Sequence, residues 1–246
     1  MIMMVLNKNK LKKILIFLLI ILFIGGGIVF TIKKNESIPS INILDLAKAP
    51  YTQGTKKNSG YVALTCNVDL GWEDEYVISI LETLKKEKVH ITFNVTGKWA
   101  EKNKDLLLRI KNEGHEIGYK HLDYATLSYD ENYNQISTSK KIIEDALGEK
   151  TKFFQAPAGS FGTNTVKAAE SLNYICFKWD VDTIDWQDRY NPEKIIERVK
   201  NKNIVDGSII LMHPTDATTK CLDDIIEIIR QKNLKPGRLS DVFIVD

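Results

Sequence analysis

From residue 60 onward, short apolar runs bounded by turn residues alternate with longer segments in which apolar positions recur with helical period. In the first of the longer segments, Val77, Ile80 and Leu84 fall on one helical face. Strands are predicted at 61–68, 89–95, 115–118, 152–155, 174–178, 208–212 and 242–245. Helices are predicted at about 75–87, 98–112, 132–147, 164–171, 192–201 and 222–232.

Apolar strands that alternate with helices predict an α/β fold, in which helices cover a parallel sheet. Polar residues follow five of the strands, at positions 67–69, 119–124, 155–161, 180–186 and 213. In a β/α barrel all these strand ends meet on one rim, whereas an open doubly wound sheet would divide them between two sides. The pattern therefore favours a distorted (β/α)7-type barrel with its chemistry at the carboxyl ends of the strands.

The N-terminal region has a different pattern. Residues 14–32 form a run of 19 residues without a charge, long enough to span a bilayer as a helix. Four lysines precede this run and two follow it, which predicts a cytoplasmic N-terminus. A cleaved signal peptide is the alternative, although no small-x-small cleavage site follows.

These features predict a single-pass protein of the cell membrane with an extracytoplasmic C-terminal domain. The expected organisation is a basic stub at 1–13, a transmembrane helix at 14–32, a polar tether at 33–58 and one domain at 59–246. A net charge of +2, with the two signs interspersed, does not favour nucleic acid as a partner. Three widely spaced cysteines without a CxxC pair indicate neither a disulfide framework nor a zinc finger.

Five segments in this order resemble the polysaccharide deacetylases with a NodB-homology domain. They are ALTCNVDLGWEDEY (63–76), HITFNVTGKWAEKN (90–103), GHEIG with HLDYATLS (114–118 and 121–128), FFQAPAGSF (153–161) and GSIILMHPT (207–215). The LGWEDEY portion is most similar to the sporulation-associated branch of the family. The resemblance implies a distorted β/α barrel that removes N-acetyl groups from peptidoglycan or chitin-type glycans, with a metal, usually zinc, held by one Asp and two His.

The resemblance assigns the catalytic acid to His213, with Leu211 beside it lining the acetyl pocket. The position of the catalytic base is Asn67, which has no basic lone pair and cannot accept a proton. Asp69 lies on the same side of an extended strand and is the candidate to supply a lost carboxylate, as base or as metal ligand.

The metal site implied by the resemblance is incomplete. An alignment with a three-residue deletion makes His121 one ligand, whereas an ungapped alignment places Lys120 and Tyr124 at the two His positions. Asp69 and His121 are then the predicted protein ligands, one fewer than a catalytic zinc site normally has. Lys120 would add positive charge beside any cation.

The remaining motifs predict the substrate-binding residues. Gln155 stands where the family has an Arg that orients the base, and Phe161 follows in the same loop. Asp182, Asp185 and Trp186 suit hydroxyl hydrogen bonds and stacking on sugar rings, with a solvated acidic loop as the alternative. Asn67 and Leu211 complete the predicted substrate-binding set.

Three hypotheses follow for function. The first is a metal-dependent N-deacetylase of cell-wall glycan. The second is a catalytically impaired protein on the same scaffold that binds or organises glycan, because the base Asp, one His ligand and the Arg of the family are substituted. The third is a hydrolase that uses Asp69 and His213 without a metal.

Overall fold

The computed structural model describes residues 49–121, 127–155 and 161–245. In this part of the chain, eight strands pair in parallel in the order β5-β4-β3-β2-β1-β7-β6, and β8 also pairs with β1. The strands are β1 Tyr61–Val68, β2 Thr92–Val95, β3 Glu116–Lys120, β4 Phe153–Gln155, β5 Ile175–Phe177, β6 Val181–Asp182, β7 Ile209–Met212 and β8 Lys235–Gly237.

Helices follow the strands, and all but the last pack on the outer face of the sheet. They are α1 Asp74–Glu87, α2 Gly97–Lys102, α3 Lys104–Asn112, α4 Tyr129–Leu147, α5 Thr163–Ser171, α6 Pro192–Lys200, α7 Asp216–Gln231 and α8 Leu239–Val242. Local sequence sets their ends. The Ser128 hydroxyl and the Glu131 carboxylate form a capping box at the start of α4, and Gly148 ends that helix with a left-handed φ of 69°.

Strand β1 divides the core by the alternation of its side chains. Val62, Leu64, Cys66 and Val68 belong to the large cluster between the sheet and the helices. Ala63 belongs to a smaller cluster with Phe153, Phe177, Ile209 and residues of the C-terminal segment, which fills the inner side of the curled sheet. The inner side therefore also holds Thr65 and Asn67 of β1, and Asp69 directly after the strand.

The architecture agrees with the predicted parallel β/α fold, but the sheet is a curled half-barrel. The outermost strands, β5 and β6, do not pair with each other among the described residues. The strand predicted at 242–245 was wrong: α8 ends at Val242, and Val242 and Phe243 pack inside the curled sheet. The strand at this end of the chain is β8, and the short β6 was not predicted.

Residues 51–56, which the sequence placed in a tether, are bound to the folded domain. The Tyr51 N–H donates to the Cys176 carbonyl at 3.0 Å, and the Gly54 N–H donates to the Gly207 carbonyl at 2.7 Å. A Cβ at residue 54 would lie 2.4 Å from the Val242 carbonyl oxygen, so this contact requires glycine. The predicted anchor at 14–32 lies outside the described residues, and within the described ranges no helix has the length and apolarity to cross a membrane.

Candidate active site at the carboxyl ends of the strands

Asn67 and Asn94 form a buried amide pair on the inner side of the sheet. They are register partners on β1 and β2, and the Asn94 Nδ2 donates to the Asn67 Oδ1 at 3.1 Å. Gly118, the next partner on β3, leaves room for Asn94, since a Cβ there would lie 2.3 Å from the Asn94 Oδ1. Asn67 is thus almost fully buried, with its carbonyl oxygen engaged by Asn94.

Asp69 is held in an ion pair at the rim above this amide pair. The Lys120 Nζ donates to the Asp69 Oδ2 at 2.5 Å, and the Gly71 N–H donates to the Oδ1 at 2.9 Å. Both side chains are largely covered, with 19% of Asp69 and 14% of Lys120 exposed. Burial raises the pKa of Asp69, but Lys120 and the Gly71 N–H together lower it by more than burial raises it. The net result is a pKa below the usual range of an aspartate.

His213, directly after β7, forms a buried pair with Asp185. The His213 Nδ1 lies 2.8 Å from the Asp185 Oδ1, and the His213 backbone N–H donates to the Oδ2 at 2.6 Å. The Thr218 hydroxyl also donates to the Oδ2, at 2.7 Å. Because Nδ1 is engaged by the carboxylate, Nε2 is the ring nitrogen that can act on a substrate.

Asp185 was predicted to bind substrate, but it is fully buried behind His213. Asp182 was predicted to do the same and instead organises the loop. One of its carboxylate oxygens accepts from the Trp179 indole N–H at 3.1 Å, and the other accepts from the Ile184 backbone N–H at 2.8 Å. Ile184 has a φ of 53°, which is strained for a β-branched residue and marks the turn that brings Asp185 beneath His213.

Trp72 contributes an aromatic surface that the sequence-based site did not include. Its ring centroid lies 5.2 Å from that of His213, and the Arg189 guanidinium carbon lies 4.4 Å from the centre of the Trp72 ring on its face. Trp186, three residues before Arg189, has 46% of its surface exposed. Its carbonyl accepts a hydrogen bond from the Arg189 Nε at 3.2 Å. The available signal for Trp72 was its place four residues after β1, at the rim where the polar residues converge.

Three other predicted site residues are enclosed by the fold. Leu211 is buried, and its carbonyl accepts from the Thr183 hydroxyl at 2.8 Å. Gln155 is fully buried at the end of β4, and its carbonyl accepts from the His121 N–H at 3.0 Å. Phe161 is half-buried and packs edge-on against Phe154 at 6.1 Å.

His121 lies on the opposite side of the sheet from Asp69. Its Nδ1 is 2.6 Å from the hydroxyl of Tyr119, a residue of the outer core cluster, and its ring packs 6.1 Å from that of Phe154 in the same cluster. Lys120, one residue earlier, points to the inner side, as alternation along a strand requires. The structure therefore does not bring together the two predicted metal ligands.

The described residues do not fit the zinc site that the family implies. Among them, no group of three or more His, Cys, Asp or Glu side chains is placed to hold a metal ion. Asp69 already has an ammonium group on one oxygen, and all three cysteines are buried. Tyr124, the alternative ligand position, lies outside the described residues.

A cavity of about 480 Å³ opens beside the rim. It is lined on one side by Lys120, His121 and the start of α2, and on the other by polar side chains of α4. Asn134, Gln135, Thr138 and Ser139 supply amide and hydroxyl groups there. Hydroxyl and amide groups in a concave surface suit hydrogen bonding to a polyhydroxylated ligand.

A curled parallel sheet with helices outside, and a His–carboxylate pair and a second carboxylate at the strand ends, defines a β/α half-barrel with a hydrolase-type site. The chain belongs to the polysaccharide deacetylase family, whose model matches residues 54–177. The predicted family is thereby confirmed.

The relatives include a protein named as a deacetylase, an uncharacterized protein and one named as a pseudoenzyme. The chain is 34% identical over 204 residues to a peptidoglycan-N-acetylglucosamine deacetylase of Bacillus cereus, covering 80% of this chain and 73% of that one. It is also 34% identical to the uncharacterized protein YlxY of Bacillus subtilis, covering 83% of this chain and 64% of that protein. A CE4 family pseudoenzyme from Bacillus anthracis superposes with a TM-score of 0.74 at 37% identity, covering 85% of this chain and 74% of that one.

YlxY is therefore matched over less than two thirds of its length. A mutant of the Bacillus anthracis pseudoenzyme with restored enzymatic activity matches this chain equally well, with a TM-score of 0.74. The chain thus resembles both relatives named as deacetylases and one named as a pseudoenzyme.

Proposed function

We propose that the chain is a polysaccharide deacetylase that hydrolyses N-acetyl groups of an N-acetylglucosamine-containing cell-wall glycan. The observation that carries the proposal is the buried Asp185–His213 pair at the strand ends, close to an ionised Asp69. Relatives named as peptidoglycan deacetylases support the substrate class.

Hydrolysis of an N-acetyl group needs a proton acceptor for the attacking water and a proton donor for the leaving amine. Asp185 holds the His213 ring so that Nε2 can deliver a proton to the amine nitrogen as the C–N bond breaks. Asp69 is ionised and lies on the same rim, so its carboxylate can accept a proton from water. Its ion pair with Lys120 lowers its basicity, which predicts slow turnover.

The aromatic residues of the rim provide the binding surface. We propose that Trp72, beside His213, and the exposed Trp186 stack on sugar rings of the glycan. The cavity beside Lys120 and α4, whose lining includes amide and hydroxyl groups, is placed to accept an adjoining sugar. In this arrangement the scissile acetamide lies between His213 and Asp69.

A second candidate function is glycan binding without turnover. It is favoured by one observation, that Asn67 replaces the family base and is engaged by Asn94. On this alternative the cleft, Trp72 and Trp186 keep their roles, whereas His213 and Asp69 have no chemical task.

Acetate release and glycan binding, measured on the same preparation, distinguish the two functions. The full chain would be incubated with chitooligosaccharides and with peptidoglycan, with and without added Zn²⁺ or Co²⁺, and released acetate would be quantified. We expect release that is lost in His213→Gln and retained in a Lys86→Met control, because Lys86 is an exposed residue near the end of α1. Binding without any acetate release would refute the deacetylase and support the second candidate. Trp186→Ala is expected to weaken binding about fivefold or more, since stacking of a ring contributes about 1–3 kcal/mol.

We also propose that residues 14–32 anchor the protein in the cell membrane with residues 33–246 outside, where the glycan is. Support comes from the charge-free run and its lysine flanks. Fractionation of cells, followed by protease treatment of spheroplasts, tests this proposal. Recovery of the full-length chain in the soluble cytoplasm would refute it. A role in the wall made during sporulation stays a prediction from the LGWEDEY segment.

A further inference from the structure

The Asp69–Lys120 ion pair crosses an intervening strand at the rim of the site. Asp69 directly follows β1, and Lys120 ends β3, with β2 between them. Val68, Val95 and Tyr119 are register partners across the three strands, so Asp69 and Lys120 stand at one level on the inner side. Strands two places apart are separated by roughly 9.6 Å, a distance that a lysine stem and an aspartate side chain span together.

The pair is enclosed and fixed on both sides of the carboxylate. Lys120 bonds one oxygen, and the Gly71 backbone N–H bonds the other. Less than a fifth of each side chain is exposed, so solvent can replace neither partner easily. Removal of one member of such a pair would leave the other charge buried without compensation.

We propose that the Lys120 ammonium is the built-in cation of this site, balancing the charge of Asp69 and keeping divalent metal ions out. A metal ion bound to Asp69 would lie next to a like charge, and His121 is on the other side of the sheet, so little would compensate the repulsion. Lysine carries three N–H donors, and the bond to Asp69 uses one. The ammonium can therefore also donate to an oxygen of a bound glycan at the place where the family keeps its metal.

This inference goes beyond the proposed function, because it concerns which cation occupies the rim, whether or not acetate is released. Its test uses Zn²⁺ and Co²⁺ binding to the full chain, followed by bound-metal content and by Co²⁺ ligand-field absorption. Wild type would be compared with Lys120→Met, which removes the charge at similar length, and with Lys120→His, which replaces it by a metal ligand. Lys98→Met removes an exposed positive charge that lines the neighbouring cavity and is the matched control.

We expect weak Zn²⁺ and Co²⁺ binding in wild type and in Lys98→Met. Affinity should rise at least about tenfold in Lys120→Met and further in Lys120→His, the size of change typical of groups next to a metal ligand. The gain in metal affinity should disappear in the double variant Asp69→Asn/Lys120→Met. This variant leaves neither charge of the pair without its partner, and circular dichroism checks that it folds.

Three results would overturn the proposal. They are wild-type Zn²⁺ binding as tight as that of Lys120→Met, no gain in either folded Lys120 variant, and a gain that persists in the double variant. Acetate release enters none of these measurements, so failure of the deacetylase function and failure of this inference are distinguishable.

Discussion

Replacement of Asp185 by Asn tests how the buried carboxylate organises His213. The native carboxylate accepts three hydrogen bonds, from the His213 N–H, the His213 ring and the Thr218 hydroxyl. Asn keeps the shape but has one acceptor oxygen, so its NH₂ group must face at least one former donor. If the amide oxygen keeps the two bonds of Oδ2, the NH₂ faces the His213 Nδ1, which must then become an acceptor.

The magnitude follows from these contacts. A hydrogen bond to a charged group contributes about 1.5–3 kcal/mol, and at least one is lost while the others become neutral. We expect Asp185→Asn to lower the free energy of unfolding by about 2–4 kcal/mol. For a domain of this size, each kcal/mol lowers the melting temperature by about 2–4 °C. The predicted fall is therefore roughly 4–16 °C.

Thermal unfolding followed by circular dichroism measures the loss of stability, and nitrogen NMR shifts of the His213 ring report its tautomer. The neutral ring should change from a proton on Nδ1 to a proton on Nε2, because Nδ1 must then accept from the new amide group. Asp145→Asn is the control, since Asp145 is 64% exposed and forms a surface ion pair with Lys141. Its effect should stay within about 0.5 kcal/mol. A melting temperature of Asp185→Asn equal to that of the control, with an unchanged His213 tautomer, would refute the reasoning.

Three further predictions concern the rest of the domain. Gly118→Ala should destabilise the fold by about 1–3 kcal/mol, because its Cβ would lie 2.3 Å from the Asn94 oxygen; an unchanged urea midpoint would contradict this. Burial and the neighbouring His90 lower the pKa of His115 from 6.5 to about 4, so the unfolded chain binds a proton that the native chain does not between these values. Stability should therefore be lost as pH falls from about 6.5 to 4, by up to about 3 kcal/mol, and His115→Gln should flatten this slope in urea titrations at several pH values. Burial raises the pKa of the Cys176 thiol to about 12, so iodoacetamide at pH 8 should leave it unlabelled in native protein and label it in urea; rapid native labelling would show that this part of the domain opens.

Some roles of the site residues could be predicted from local sequence, and others depend on the tertiary structure. The family role of His213 could be predicted because its motif is continuous along the chain, from the buried strand β7 to the residue after it. The neighbours of His213 could not be predicted in the same way. Asp185 was expected at the surface, and only the turn at Ile184 places its carboxylate beneath the ring. The place of Trp72 after β1 indicates the rim, but its contact with the His213 ring depends on the tertiary structure.

The sequence by itself determined the alternation of strands and helices, the parallel sheet, the family and the absence of a carboxylate at positions 67 and 68. These features depend on local periodicity and residue identity, which are readable without contacts. The tertiary structure alone decided which charges meet. Lys120 reaches Asp69 across 51 residues of sequence, and Asp185 reaches His213 across 28, because strand order and register put them at one level of one face. The same alternation turns His121 to the other face. Lys120 therefore joins the site, whereas His121, one residue later, does not.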